Sequence, residues 1–372
     1  MIKKILVLVF VSTIYSCIDP FEVDIYDENA GGQLVVEGII TNKQNVQIIR
    51  INRSAPVGGF SGYEQVEGAS VSIKDDKGNC FQLFESRAGV YITDTTEFES
   101  KVGRSYQLTI VLEDGVEYIS DYQELKPVTP IDRLWVRGER EPYLAGSVVT
   151  EGELLNVYTN VNVGEQADYL SYDYEGVYEL RSFLQGSSSC WDSIEMAPSE
   201  ILPLTDERRC FKNQDVSLPL NIYSSVDLES GENINQKILS ISPSRVFYFG
   251  YSMVVRKYSL TESYFNYLDD IKEQNSYGGD LFAPPPTAIV GNIHENGNDE
   301  NRVLGFFTAV NSTSKRIFID NQVLRDPIRD PLNRMACVNA FPIEDPPPPP
   351  PFCCDCLLVE GATDTKPDFW PY

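Results

Sequence analysis

The chain has 372 residues, with 30 lysines and arginines against 55 aspartates and glutamates, and its formal net charge at pH 7 is -25. Such an acidic surface repels nucleic acid and anionic lipid headgroups, which argues against both as partners. Catalytic triads, Cys-His nucleophile pairs and histidine-rich zinc sites all need imidazole, so any of them would have to use the single histidine, His294. His294 lies in a polar, turn-rich stretch, which favours a structural or solvent-exposed role.

The N-terminus has the pattern of a secretory signal peptide over residues 1–16, because Lys3 and Lys4 precede an apolar run from Ile5 to Ile14. About ten apolar residues are too few to span a bilayer as a helix, which takes roughly 20. Ile14-Tyr15-Ser16-Cys17 resembles a bacterial lipobox, so Cys17 is predicted to be lipidated and to tether the mature protein to a membrane. A buried or disulfide-bonded Cys17 behind an ordinary signal peptide is the alternative.

Residues 17–32 form an acidic, glycine-containing segment that is predicted to be a flexible stalk. Its acidic residues Asp19, Glu22 and Asp24 resemble the surface-export signals of Bacteroidetes lipoproteins. The expected location is therefore the outer membrane, with the lipid-anchored protein facing the cell exterior.

Residues 33–127 are predicted to form an immunoglobulin-like or transthyretin-like antiparallel β-sandwich. The runs LVVEGIIT and VQIIRINR are β-branched and alternating, and Lys77-Gly78 and Asp114-Gly115 are typical hairpin turns. Pro127 and Pro130 mark the domain boundary, because a proline cannot donate to the ladder of a central strand.

Residues 128–372 are predicted to form a second β-rich domain, so the fold class is mainly β. One short amphipathic helix is expected over about 260–274, starting at a capping box in Ser259-Leu260-Thr261-Glu262. Its apolar face favours packing on a sheet over binding a partner. That face consists of Tyr264, Tyr267, Leu268 and Ile271.

Cysteines in an oxidising extracytoplasmic compartment form disulfides by default. The candidates are Cys190, Cys210, Cys337, Cys353, Cys354 and Cys356. Cys190 and Cys210 flank a polar loop and are expected to close it. Cys337 is expected to pair with one member of the 353–356 group, which would fix the proline-rich segment FPIEDPPPPPPF as an extended spacer.

Seven cysteines remain beside Cys17, so at most three pairs can form, and Cys80 is the candidate for the free thiol. Zinc binding by Cys337, Cys353, Cys354 and Cys356 is the alternative to disulfides. Adjacent cysteines cannot form the Cys-x2-Cys knuckle that structural zinc sites favour. The sequence therefore predicts no metal site and no cofactor.

Several short motifs, in the same order along the chain, resemble one family. They are Gln33-Leu34-Val35-Val36-Glu37-Gly38, Tyr258-Ser259-Leu260-Thr261, Leu281-Phe282-Ala283-Pro284-Pro285-Pro286, Gly291-Asn292-Ile293, Val303-Leu304-Gly305-Phe306-Phe307, Lys315-Arg316-Ile317-Phe318-Ile319 and Lys366-Pro367-Asp368-Phe369-Trp370. With the lipobox, this set resembles the Bacteroidetes outer-membrane lipoproteins grouped as domain-of-unknown-function family 4249. The resemblance implies an accessory lipoprotein beside a TonB-dependent outer-membrane transporter.

The functional expectation is a non-enzymatic subunit that captures a ligand, a glycan or a peptide, for such a transporter. No catalytic residue is predicted, since no phosphate-binding loop or nucleophile elbow is present in the sequence. Two alternatives stay open: an extracellular carbohydrate- or peptide-active enzyme that uses carboxylates, and a structural adhesin or envelope-assembly component.

Overall fold

The structure is a computed structural model that describes residues 32–43, 45–54, 63–145, 148–162, 168–182, 209–214, 220–229, 231–276, 289–328, 353 and 355–371. Residues 1–31 lie outside these ranges, so the predicted signal peptide, the lipidated Cys17 and most of the predicted stalk are not described. The motif at residues 281–286 and the proline-rich spacer also lie outside them.

The described residues form 21 strands and one α-helix. The N-terminal strands are β1 (Leu34–Thr41), β2 (Ile48–Arg53), β3 (Glu64–Gln65), β4 (Ser70–Asp75), β5 (Cys80–Gln82), β6 (Phe84–Arg87), β7 (Val90–Ile92), β8 (Ser105–Val111), β9 (Glu117–Ser120) and β10 (Gln123–Glu124). They are followed by β11 (Leu134–Ala145), β12 (Val148–Asn162), β13 (Tyr169–Arg181), β14 (Arg209–Gln214), β15 (Ile222–Ser224), β16 (Asn233–Ile241), β17 (Tyr251–Ser259), helix α1 (Glu262–Ser276), β18 (Ile293–Glu295), β19 (Asn298–Arg302), β20 (Leu304–Ile319) and β21 (Ala362–Thr363). The prediction of a mainly β fold is confirmed.

The strands form three sheets within the described residues. The largest has 11 strands in the order β21-β14-β13-β17-β20-β1-β2-β7-β6, with β15 paired to β13 and β3 paired to β2. The second has seven strands, β19-β18-β9-β8-β4-β5 with β10 paired to β8, and the third is β11-β12-β16. One long sheet therefore runs through both of the predicted domains, and the division at residue 127 stays a prediction.

The N-terminal core lies between the β1-β2-β7 part of the first sheet and the second sheet. Side chains along each strand alternate between the core and the outer face of the sheet. In β8, for example, Tyr106, Leu108 and Ile110 are buried and their neighbours are half-exposed. The core also includes Ile293 and Phe307, which lie far along the chain. Strands from beyond residue 290 thus complete the N-terminal sandwich.

Strand β20 enters the large sheet beside β1, and this pair is parallel, with Val36 opposite Gly305. Gly305 has φ +94°, and a Cβ there would lie 2.0 Å from the Val36 carbonyl oxygen, so only glycine fits. The buried Asn292 side chain accepts a hydrogen bond from the Phe307 N–H at 2.9 Å and donates one to the Phe307 C=O at 2.8 Å. We call this contact between Asn292 and Phe307 the amide clamp.

Helix α1 is found two residues later than predicted, and its N-terminal cap also differs. The N-cap is Thr261, whose Oγ1 accepts from the Tyr264 N–H at 3.3 Å and donates to Gln123 Oε1 at 2.6 Å. The predicted cap, Ser259, ends β17 and donates instead to the Lys126 carbonyl at 2.9 Å. The prediction of a capping box at Ser259 was wrong, because the Ser259 hydroxyl is hydrogen-bonded to the residue before Pro127 and does not cap the helix.

The apolar face of α1 packs on the large sheet, as predicted. The rings of Tyr264 and Tyr267 lie 5.1 and 4.8 Å from the ring of Phe306 on β20, and Phe265 lies 5.1 Å from Tyr169 on β13. None of the helix residues is fully buried, so the helix covers one face of the sheet from outside.

Candidate functional site

A cleft opens where strand β13 changes its partner. On one side β13 pairs continuously with β17, but on the other it pairs with β14 over residues 176–181 and with β15 over residues 169–171. Residues 172–175 therefore lie between the two partners and pair on that side with no described strand. The cleft lies against this part of β13, since Ser171, Tyr172, Asp173 and Tyr174 line it.

The cleft has a volume of about 500 Å³, within the usual range of 300–1,000 Å³ for ligand pockets. It extends from residues 171–174 of β13 to β1 and is bordered by the start of α1. Aliphatic side chains form much of its surface, among them Ile39 on β1, Leu260 and Leu268 at the helix, and Val310 on β20. The cleft is thus an apolar pocket with a small number of polar groups, which is the usual composition of a binding site.

Four tyrosines line the cleft, namely Tyr172, Tyr174, Tyr258 and Tyr264. Burial raises the pKa of Tyr264 to about 12, and burial also raises the pKa of each of the other three. The Tyr172 hydroxyl is buried and has no hydrogen-bond partner among the described residues. All four side chains are therefore neutral across the physiological pH range, and Tyr172 among them is a core residue that is 6% exposed.

A charged network borders the cleft on β13 and β17. Tyr258 Oη donates to Asp173 Oδ2 at 2.8 Å, and Arg256 lies 3.4 Å from Asp173 Oδ1 and 2.5 Å from Glu175 Oε2. Hydrogen bonding to Glu175, ahead of the nearby charge of Asp173, raises the pKa of Arg256. One guanidinium thus binds both carboxylates and holds them in place.

This network does not have the arrangement of a carboxylate acid-base pair. Such a pair needs two carboxyl groups in different environments with space for the substrate between them, whereas Asp173 and Glu175 bind the same arginine. Asp173 is still 52% exposed, so part of its carboxylate faces the cleft and solvent. No lysine, arginine or histidine is among the described residues that line the cleft.

Sequence reasoning did not identify these cleft residues. The tyrosines of YLSYDYEGVYEL alternate along the strand, a pattern that is typical of core residues and cross-strand pairs. That explanation holds for Tyr172 and Tyr178, which are buried in a second hydrophobic core, and Tyr174 packs against the same core. The signal that marks the site is the segment Ser171-Tyr172-Asp173-Tyr174-Glu175, which places tyrosine on one face of a strand and charge on the other.

The pairing predicted between Cys190 and Cys210 was wrong. Cys210 bonds to Cys356, which is 146 residues away in sequence, and both are fully buried. The physical reason is the fold: Cys210 lies on β14, which pairs with β21, so the C-terminal segment brings Cys356 next to it. The short separation in sequence favoured Cys190 as the partner of Cys210, but the strand pairing determines which cysteines lie close together.

Cys353 is also disulfide-bonded, and Cys80 is a free, exposed thiol as predicted. Bonding of both Cys353 and Cys356 excludes the zinc alternative, which needs their thiolates. Within the described part of the chain, one group of metal-ligand type occurs, Cys210, Asp355 and Cys356, and two of its members form the disulfide. Cys190, Cys337 and Cys354 lie outside the described residues, so the pairing expected for Cys337 stays a prediction.

His294 lies on the short strand β18, where it pairs with Ile119 of β9 and Arg302 of β19. It is half-buried in the second sheet and does not line the cleft. This position agrees with the structural role that the sequence favoured.

A model of the family described as domain of unknown function (DUF4249) matches residues 18–316, which is well over half of the chain. Comparison with curated proteins gives no match. In the ranges that the structure describes, no helix is both long and apolar enough to cross a membrane.

Proposed function

The chain belongs to the DUF4249 family, and we propose that this member is a lipid-anchored outer-membrane protein that captures a ligand beside a TonB-dependent transporter. The observation that carries the proposal is the cleft of about 500 Å³ between β13, β1 and the start of α1, with four tyrosines and one partly exposed carboxylate. The lipobox at Cys17 and the acidic stalk support the anchored location. In this proposal the protein is not an enzyme and uses no cofactor.

Binding rather than catalysis is supported by the chemistry of the charged network. Arg256 binds both carboxylates near the cleft, so a general acid or a nucleophile would first have to break an ion pair. Fixed polar groups beside apolar walls orient a ligand without reacting with it.

Lipid anchoring is tested by metabolic labelling of the full-length protein with a palmitate analogue. We expect the label on the wild type and no label on Cys17→Ser, with Cys80→Ser as the matched control that keeps the label. Protease treatment of intact cells then determines which side of the outer membrane carries the domains. Label on Cys17→Ser, or full protection of the wild type from protease, would contradict the anchored and surface-exposed location.

Association with a transporter is tested by affinity purification from detergent-solubilised outer membranes, followed by mass spectrometry. We expect a β-barrel receptor of the TonB-dependent class at a stoichiometric level. Cleft variants such as Tyr264→Ala are expected to keep the receptor and to lose growth in competition with wild-type cells when the imported nutrient is limiting. The control is Tyr63→Ala, at a side chain that is 68% exposed and does not line the cleft. Repeated isolation without any barrel protein would refute the proposal.

A further inference from the structure

A row of exposed apolar side chains crosses four strands of the large sheet. Ile39 on β1 pairs with Ile48 on β2. Ile48 also pairs with Ile92 on β7, which pairs in turn with Phe84 on β6. Paired residues of antiparallel strands lie side by side on the same face. We call these four residues the apolar row, and it spans three inter-strand distances, or about 14 Å.

The apolar row faces away from the N-terminal core. The residues next to its members in sequence belong to that core, and successive side chains of a strand point to opposite faces. Ile39, Ile48 and Phe84 are 39%, 38% and 54% exposed, and Ile92 is half-buried. Exposed apolar residues that occur singly are ordinary, whereas these are neighbours in one continuous strip.

The apolar row begins in the cleft. Ile39 and Thr41 line the cleft, and both also line a second cavity of about 190 Å³ on the same face. Ile48 and the exposed Val46 line this second cavity as well. A ligand that fills the cleft therefore lies against Ile39, from which the apolar surface continues onto β2.

Charged side chains border the apolar row on one side. The next row on this face lies two residues along each strand, about 7 Å away. It contains Glu37 and Arg50, which are exposed and form an ion pair with 3.4 Å between Oε2 and the guanidinium. On the other side β2 begins at Ile48 itself, so the ordered strand pairing ends there. The apolar strip is therefore long across the strands and narrow along them.

The size of the strip argues against a protein or a membrane as its occupant. A large side chain has on the order of 200 Å² of surface, so four partly exposed ones offer roughly 300 Å². A stable protein interface, including one with a second copy of this chain, takes about 800 Å² from each partner. The net charge of -25 disfavours contact with anionic headgroups. A single hydrocarbon chain fits a narrow apolar strip that opens into a cavity.

We infer that the ligand of the cleft is an amphiphile whose hydrocarbon chain lies along the apolar row, across β1, β2, β7 and β6. This inference rests on the proposed function and names the ligand class of its site. Each methylene group that is buried against the row raises the affinity about fourfold. The polar end of the amphiphile stays in the cleft, where the partly exposed carboxylate of Asp173 accepts hydrogen bonds from it.

The test uses hexyl, octyl and decyl maltoside, which share one neutral head group and differ in chain length. Binding to the purified full-length Cys17→Ser protein is measured by calorimetry below the concentrations at which these compounds form micelles. The Cys17 substitution avoids competition from a lipid anchor or a solubilising detergent. We expect each pair of added methylenes to raise the affinity about tenfold. An affinity that does not rise with chain length, or no binding of any of the three compounds, would overturn the inference.

Ile48→Thr tests the row itself, because it keeps a β-branched side chain and places a hydroxyl in the middle of the strip. We expect decyl maltoside to bind about fivefold more weakly and hexyl maltoside to change less than about twofold. Val149→Thr is the matched control, since Val149 is exposed on β12 and lines neither cavity. Equal losses in the two variants would mean that the row does not bind the chain.

Photocrosslinking locates the end of the chain directly. A decyl maltoside that carries a diazirine at the end of the chain is irradiated with the protein, and the labelled peptide is identified by mass spectrometry. We expect the label between residues 84 and 92, and a label on any other part of the chain would contradict the inference.

The inference and the proposed function fail in different ways. If Tyr264→Ala abolishes binding of all three maltosides while chain length has no effect on the wild type, the cleft captures a ligand and only the inference about the row is wrong. If no maltoside binds, the inference is wrong, and co-purification of the transporter still decides the proposed function.

Discussion

The substitution Asn292→Asp tests the amide clamp between Asn292 and Phe307. The clamp consists of two hydrogen bonds, from the Phe307 N–H to Asn292 Oδ1 at 2.9 Å and from Asn292 Nδ2 to the Phe307 C=O at 2.8 Å. Aspartate has almost the same shape and keeps the first bond. It replaces the second donor by an oxygen, which, when ionised, faces a carbonyl oxygen at hydrogen-bond distance.

The expected loss of unfolding free energy at pH 8 is about 2–4 kcal/mol. A buried carbonyl without its donor costs about 1–3 kcal/mol, and a carboxylate in a site as closed as that of Asn292, which is 4% exposed, adds to this. Burial and the facing carbonyl raise the pKa of the new carboxyl in the folded state above its unfolded value of about 3.9. Protonation restores a donor, so the loss is complete above the folded pKa and shrinks as the pH falls through it.

Urea unfolding followed by tryptophan fluorescence at pH 8 and pH 5 measures both quantities. Asn42→Asp is the matched control, because Asn42 is exposed and its Oδ1 accepts from the Ser312 N–H at 3.1 Å, a bond that aspartate keeps. We expect less than about 0.5 kcal/mol for the control at either pH. If Asn292→Asp costs no more than the control at pH 8, or if its cost does not fall at pH 5, the two hydrogen bonds of the amide clamp do not stabilise the fold as expected.

Three further predictions concern other contacts. Replacing both Cys210 and Cys356 by serine removes a disulfide with a sequence separation of 146, for which the chain-entropy model gives about 5 kcal/mol, measured as a shift of the urea midpoint without reductant. Trp370→Ala removes a ring that is 3% exposed, and it is expected to lower the unfolding free energy by about 3–5 kcal/mol; a normal midpoint would mean that the C-terminal segment is not docked. The hydrogen bond that Tyr158 donates is the main cause that lowers the pKa of Glu139. Tyr158→Phe is therefore expected to lower the unfolding free energy by about 1–2 kcal/mol at pH 7. Urea unfolding curves should show that this loss becomes smaller as the pH falls below the ordinary glutamate pKa of about 4.3.

Local features of the fold were predictable from the sequence. The turns at Gly78 and Gly115 have φ of +89° and +86°, so glycine was a reliable marker of both hairpins. The apolar periodicity of α1 identified the helix, although the competition between Ser259 and Thr261 for the cap required the tertiary structure. Features of this kind depend on neighbours within a few residues.

Contacts between distant segments were not predictable in this way. The parallel pairing of β1 with β20 and the bond from Cys210 to Cys356 each join residues that nothing in the local pattern connects. The short family motifs quoted from the sequence include both sides of such contacts, as in Gly291-Asn292-Ile293 and Val303-Leu304-Gly305-Phe306-Phe307. Their role is visible only when Asn292 is seen to bond Phe307 and when a Cβ at Gly291 is placed 1.8 Å from the Gly305 carbonyl oxygen.

The cleft depends on these distant contacts, because its walls come from both predicted domains. Ile39 and Thr41 belong to β1, Val310 belongs to β20, and β1 lies beside β20 only through their parallel pairing. The register places Thr41 opposite Val310, so a loss of pairing would separate one wall from the other. A ligand that binds only while β1 and β20 are paired must then stabilise their pairing by mass action. The proposed ligand capture is therefore linked to the pairing of β1 with β20, since that pairing holds two walls of the cleft in place.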